Sequence, residues 1–235
     1  MSIRIVLWDV DGTLLNFDAA ERVAIRKGFE RHHLGTCTDD MLARYNGINK
    51  KYWDMLAKDL LTKPEVLVKR FEEFFTAYGL DPQKAVAFNE NYQEDLGDTA
   101  VLYADAMETI RALKGRVIQC AATNGTITAA RKKLKNSGLD REFDAIFISD
   151  ELGHEKPHVE FFDIAFATLR EKFGDFTSDE VLIVGDSPSS DIRGGLNAGI
   201  HTCLFNPLGE EKDPETRAEY EIRSLREVPE LLTRI

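Results

Sequence analysis

The sequence predicts an α/β protein, a doubly wound parallel sheet of Rossmann type carrying an inserted all-helical domain. Three observations carry that expectation. Short runs such as Val181–Val184 are continuously apolar, and Ile3–Trp8 is apolar but for Arg4, as expected of strands covered on both faces. They alternate with amphipathic stretches of helical period, the pattern of a parallel sheet with crossover helices. One connection breaks the alternation: about a hundred residues follow the first strand, where a crossover needs a few tens, and their periodicity is helical throughout.

Taken in order, the expected strands are Ile3–Trp8, Val117–Ala122, Ala145–Ile148, Val181–Val184 and Thr202–Phe205. The expected crossover helices are Ile127–Ser137, Val159–Phe173 and Ser189–Ala198, with Gly138 and Gly199 placed as left-handed caps just past two of them. The long connection reads as four helices, Ala19–His33, Asp39–Leu60, Pro64–Tyr78 and Pro82–Asp95, punctuated at Lys63-Pro64 and Gly79-Leu80-Asp81-Pro82. Residues 17–97 are therefore expected to form a helical domain. Residues 1–16 and 98–235 are expected to form the core, which the chain re-enters through Thr99–Lys114.

At 235 residues, 43% of them apolar and 30% charged, the chain can bury a sizeable core under a solvated surface. A net charge of −11 argues against a nucleic-acid or membrane-surface partner, since both are polyanions, and it requires a local positive centre for any anionic substrate. Cys37, Cys120 and Cys203 are odd in number and lack C-x-x-C spacing, which suits reduced structural thiols. The apolar start is cut short by Asp9, so it does not read as a signal peptide, and no apolar run is long enough to span a bilayer. The expectation is a soluble cytoplasmic protein, monomer or homodimer, with a small-molecule partner.

Ligands of open parallel sheets bind beyond the carboxyl ends of the strands. Four polar groups fall there: Asp9 with Asp11, Thr123-Asn124, Lys156-Pro157, and Asp186 with Asp191. Each has a plain structural alternative. Asp-Gly-Thr makes a turn, Thr126 can cap a helix, Ser189 or Ser190 can cap another, and a lysine is most often solvated. Their convergence on one crevice is the stronger reading. Asp9 and Asp11 share one side of an extended strand, so they repel unless a cation or a retained proton intervenes. Asp186 directly ends an apolar strand beside them. A hard divalent ion is the natural neutraliser, and Mg2+ takes few carboxylates together with phosphate oxygens. Thr123-Asn124-Gly125-Thr126 leads from strand to helix and gathers free N–H groups into an anion site.

These segments, D9-V-D11-G-T, T123-N-G, K156-P and G185-D186-S-x-x-x-D191, resemble the four signature motifs of the haloacid dehalogenase-like superfamily of phosphatases, in the same order over essentially the whole chain. A helical cap inserted after the first strand is also that superfamily's arrangement. The resemblance implies an Mg2+-dependent phosphomonoesterase in which Asp9 is the nucleophile that forms an aspartyl-phosphate and Asp11 is the acid and base. It places Thr123, Asn124 and Lys156 on the phosphoryl group. The metal would lie on Asp9, the Asp11 carbonyl and Asp186, with Asp191 close behind. The presence of Asp11 argues against dehalogenation, because the superfamily's dehalogenases lack it.

Within the helical domain, Tyr45, Asn49 and Trp53 lie four apart on one helix face, with Asn46 and Lys50 beside them. This face either packs the domain's interior or meets substrate. The stretch Y45-N-G-I-N49-K-K-Y-W53, with N16-F17-D18 and R70-F71, is similar to the pyrimidine nucleotidases that act on noncanonical nucleotides, although Gly12 departs from their usual pattern. That similarity makes a nucleoside 5′-monophosphate the expected substrate and Asn16, Phe17, Tyr45, Asn49 and Trp53 the selecting residues. The alternatives are a phosphosugar or phosphoglycolate phosphatase and a β-phosphoglucomutase-like phosphotransferase. His154 and His158 read as loop residues rather than a metal pair, since Pro157 interrupts the helix they would need. Lys132, Lys133 and Lys135 read as an exposed helical face.

Overall fold

The computed structural model describes residues 2–210 and 216–235. Its strands are β1 (Ile5–Trp8), β2 (Ile118–Thr123), β3 (Ala145–Ile148), β4 (Val181–Gly185), β5 (His201–Phe205) and β6 (Tyr220–Ile222). They form one sheet in the order β3-β2-β1-β4-β5-β6, and every pairing is parallel. β1 is central and wholly buried, and side-chain alternation divides it between two cores. Val6 and Trp8 join Ile110, Leu113, Val228 and Leu231 on one face. Ile5 and Leu7 join Phe161, Phe162, Ala165 and Leu169 on the other. Covered faces explain why these strands read as continuous apolar runs.

Ten α-helices are described: α1 (Phe17–Arg31), α2 (Asp39–Ala57), α3 (Lys63–Ala77), α4 (Ala85–Asp98), α5 (Ala106–Leu113), α6 (Ile127–Ser137), α7 (Ser149–Leu152), α8 (Val159–Phe173), α9 (Arg193–Asn197) and α10 (Val228–Leu231). α1–α4 occupy the long connection after β1 and bury a third core, in which Phe29, Tyr45, Phe71, Phe74, Phe88 and Tyr92 crowd together with Ala129 of α6. Their starts are written locally: Asn16 and Thr38 accept from Ala19 and Met41 N–H groups, and Thr62 with Glu65 makes a capping box.

The expected segment Pro82–Asp95 divides into a 3-10 turn, Pro82–Lys84, and α4. Ser189–Ala198 likewise divides into a π-helical turn, Pro188–Ile192, and α9. β6 has no counterpart in the sequence reading, because three residues with a charged centre carry too little periodicity. All three cysteines are free and buried. Among the described residues no helix is long and apolar enough to cross a membrane.

Candidate active site

The crevice lies where β1, β2 and β4 end. Asp9 follows β1 directly, and its N–H still bonds the Val184 carbonyl at 2.9 Å, so the first carboxylate stands at the sheet's own edge. Gly12 then takes φ 95°, and a Cβ there would fall 2.5 Å from Asp186 Oδ2. Only glycine lets the chain turn this close to the second carboxylate. Thr13 Oγ1 stands 3.1 Å from Asp9 Oδ2 and 3.1 Å from Asp186 Oδ1, so one hydroxyl links the β1 and β4 tips.

Lys156 is the positive centre that the net charge demands. Its side chain has no exposed surface, and Nζ lies 2.9 Å from Asp9 Oδ1, 2.6 Å from Asp191 Oδ1 and 2.5 Å from the Ala122 carbonyl oxygen. All three donors of the ammonium are thereby used. Asn124 holds the backbone that delivers it: Lys156 N donates to Asn124 Oδ1 at 2.9 Å, and Asn124 Nδ2 donates to Lys156 O at 2.8 Å. Asn124 was expected on the phosphoryl group. Its side-chain amide is engaged at both ends and places Lys156, which leaves the backbone N–H as the group of Asn124 for that role. Thr123 is buried at the end of β2, with its Oγ1 accepting from Gly125 N at 3.0 Å. Thr126 caps α6 and also donates to Gln93 Oε1 of α4 at 2.9 Å. Pro157 lies ahead of α8, whose N-cap is His158.

Asp9, Asp186 and Asp191 bring ligand-capable oxygens within 4.8 Å of one another. Three carboxylates meet one ammonium, and the electrostatics record the imbalance. Burial first, then Asp191 and Asp186, pushes Asp9 well above the usual carboxylate range against the pull of Lys156. Burial and Asp191 push Asp186 up to about 7. Burial alone would lower Lys156, but Asp191 and Asp9 outweigh it and hold the ammonium above the ordinary lysine range. Hard oxygen donors in excess over local positive charge suit a divalent cation. Asp191 already serves Lys156 and the Ser187 N–H, the latter at 3.0 Å, and Asp9 serves Lys156 and Thr13, so Asp186 holds the freest oxygen of the three.

Residues 3–199 match the haloacid dehalogenase-like hydrolases. The chain belongs to that family. Within the family it is 35% identical to the HAD-hydrolase YfnB of Bacillus subtilis over 97% of this chain and 95% of YfnB. It is 30% identical to the pyrimidine 5′-nucleotidase PynA of Streptococcus pneumoniae over 99% of this chain and 96% of PynA. A crystal structure of YfnB bound to magnesium, which reveals interdomain movement, matches 99% of each chain with TM-score 0.90 and 34% identity. The resemblance seen in the four motifs is thus one of descent over the full length.

Of the two readings left open for the face carrying Tyr45, Asn49 and Trp53, the structure favours packing for the first two. Tyr45 has no exposed surface, and its ring stacks on Phe71 with centroids 5.0 Å apart. It packs the interior of the four-helix segment and is closed to substrate. Asn49 is buried too, donating to Glu21 Oε1 at 2.9 Å and accepting from Arg70 Nη1 at 2.7 Å. Of the three, Trp53 alone keeps partial exposure. Asn16 uses its side-chain oxygen to cap α1, accepting from Ala19 N at 3.0 Å, and Phe17 is half-buried beside it. His158 Nε2 lies 3.1 Å from Asp59 Oδ1, in keeping with a loop residue.

Lys133 was expected on an exposed face. Its side chain is 1% exposed and its Nζ lies 2.6 Å from Asp11 Oδ1. A signal was present: Lys133 stands four after Ala129 and three after Ala130, on the face that α6 buries.

Proposed function

We propose that this hydrolase is an Mg2+-dependent phosphomonoesterase whose substrates are nucleoside 5′-monophosphates, pyrimidine ones above all. One observation carries the reading: a buried lysine and two further carboxylates, Asp186 and Asp191, converge on Asp9 at the tip of the central strand. The full-length likeness to PynA supports the nucleotide class, as does 29% identity to the pyrimidine 5′-nucleotidase YjjG of Escherichia coli over 97% of this chain and 96% of YjjG. In this proposal residues 1–16 and 98–235 form the catalytic core and residues 17–97 a cap; the separate apolar core of α1–α4 supports that division.

Asp9 attacks phosphorus as the ester P–O bond breaks, giving an aspartyl-phosphate. Asp11 protonates the departing oxygen, and its carboxylate then takes a proton from the water that hydrolyses the intermediate. Thr123 and the Asn124 N–H bind phosphoryl oxygens, and Lys156, whose three donors are committed to Asp9, Asp191 and the Ala122 carbonyl, offsets their charge at short range. Asp9, Asp186 and the Asp11 carbonyl would hold Mg2+, which when bound neutralises the clustered carboxylates and the phosphate.

A panel of phosphomonoesters assayed with Mg2+ and with EDTA tests the reading. Pyrimidine nucleotides should lead the panel and EDTA should stop turnover. Metal-independent hydrolysis would overturn the mechanism, and preference for hexose phosphate or phosphoglycolate would overturn the substrate class.

A further inference from the structure

We propose that Lys133 is the positioning residue that fixes which oxygen of Asp11 handles the leaving-group proton. The inference rests on the phosphatase reading and adds a residue to it. Burying a lysine ammonium is costly unless it is paired, and Nζ of Lys133 lies 2.6 Å from Asp11 Oδ1 and 5.1 Å from the ring centroid of Phe17. Both neighbours belong to the segment leaving β1, one at the proposed proton carrier and one where the chain enters α1.

The placement of Asp11 gives this contact its consequence. Its side chain is 21% exposed, against 10% for Asp9, so packing encloses it less. Lys133 grips Oδ1. The other oxygen, Oδ2, lies 3.6 Å from where a Cβ on Gly125 would stand, so it faces the Thr123–Gly125 turn. α6 supplies a firm base for that grip. It starts at the Thr126 cap, immediately after this turn, and Thr126 is itself bonded to Gln93. The phosphate-facing turn and the lysine that aims Asp11 are thus parts of one rigid strand-turn-helix unit.

In the step concerned, the Asp9–phosphorus bond forms and the ester P–O bond breaks. The electron pair of that bond stays on the ester oxygen, which takes the proton from Asp11 Oδ2. The carboxylate left on Asp11 is then held beside the Lys133 ammonium. Removing Lys133 frees the carboxyl group to turn, and proton delivery suffers in proportion to how much the leaving group needs it.

The test compares kcat/KM, which reports the chemistry up to release of the alcohol, for uridine 5′-monophosphate and for p-nitrophenyl phosphate. The first has an alkoxide leaving group that needs a proton; the second leaves readily without one. Lys133→Met should lower kcat/KM for the nucleotide by on the order of a hundredfold and lower it far less for the aryl ester. Lys133→Arg, which keeps a cation on the stem, should restore most of the ratio. Equal losses on the two esters, or no loss on either, would overturn the inference. Should Lys133→Met fail to fold by circular dichroism, the same comparison in Lys133→Gln decides it. A wild-type enzyme idle on both esters overturns the phosphatase reading itself, whereas an active one with matched losses overturns only the role of Lys133.

Discussion

Ser189 donates to Asp54 Oδ1 at 2.8 Å, tying the loop after β4 to α2. The same seam holds Lys63, at the start of α3, whose Nζ donates to the Gly125 carbonyl oxygen at 3.2 Å and to Ser149 Oγ at 2.9 Å and pairs with Asp150. On this side the helical segment meets the sheet through polar groups, which exchange readily for water. On the other side α4 packs tightly on α6, where a Cβ on Gly97 would fall 2.8 Å from Lys132 Cβ. The polar seam is the one whose loss would let the two parts separate, a latch in that sense.

Lys63→Met should loosen the latch while leaving the fold intact. Asp150 keeps a partner in the Ile127 N–H at 3.1 Å, so the loss in stability should be about 1–2 kcal/mol. Small-angle scattering should show a larger radius of gyration, and KM should rise several-fold. An unchanged scattering profile with unchanged KM would remove the latch.

Asp9→Asn should abolish turnover, by at least about four orders of magnitude, yet leave the protein as stable as before or more so in EDTA. Burial and the neighbouring carboxylates already disfavour the charged form of Asp9. Replacing it leaves Lys156 paired with Asp191 and the Ala122 carbonyl. Wild-type protein should gain roughly 2.7 kcal/mol of stability when Mg2+ is present at a hundred times its Kd, and Asp186→Asn should lose most of that gain. Thermal melts with and without Mg2+ read both effects. A wild-type melting temperature indifferent to Mg2+ would contradict the metal assignment.

The parallel sheet was legible because its strands are buried on both faces and its ligand groups sit at their ends. Asp9 and Asp186 announced themselves as charges placed against apolar runs, whereas Lys156, in the polar stretch Gly153–His158, stood out only in company with them. Other features were not legible, for physical reasons. The spacing of Lys133 from Ala129 and Ala130 marks the buried face of α6, but its partner lies 122 residues away, and a helix's own periodicity does not reveal an ion pair across the fold. Asn124 looked like a phosphate ligand because its loop position is right, but its bonding to the Lys156 backbone is set by a loop that sequence reasoning could not place. Tyr45 and Asn49 share a face with Trp53 by helical spacing, and only the packing of α3 and α4 decides how much of that face is sealed.

Gly12→Ala should damage the site from within its turn. The left-handed backbone costs an L side chain about 1–2 kcal/mol, and the added Cβ would meet Asp186 Oδ2 at 2.5 Å. The carboxylate must move, so the variant should lose the Mg2+-induced rise in melting temperature along with activity. A variant with a wild-type Mg2+ response would show that Asp186 has room the turn does not reveal.

Glu21 supplies a pH dependence far from the chemistry. Burial pushes its carboxyl up to about 7, against the opposing pull of Arg70. The folded state therefore holds a proton that the unfolded chain releases above its ordinary value of 4.5. Stability from this group is fully present below that value and is lost as pH rises toward 7, by up to about 3 kcal/mol. Glu21→Gln keeps an oxygen for the Asn49 and Tyr92 donors, now 2.9 Å and 3.4 Å from Glu21 Oε1, but does not titrate. Urea denaturation of both proteins at pH 5, 6, 7 and 8 isolates the effect, since the other titrating groups are common to both. The variant should gain on the wild type as pH rises through that window and level off above it. A difference that stays constant across the series would mean that Glu21 is ionised in the folded protein throughout, its charge held by Arg70 and Asn46.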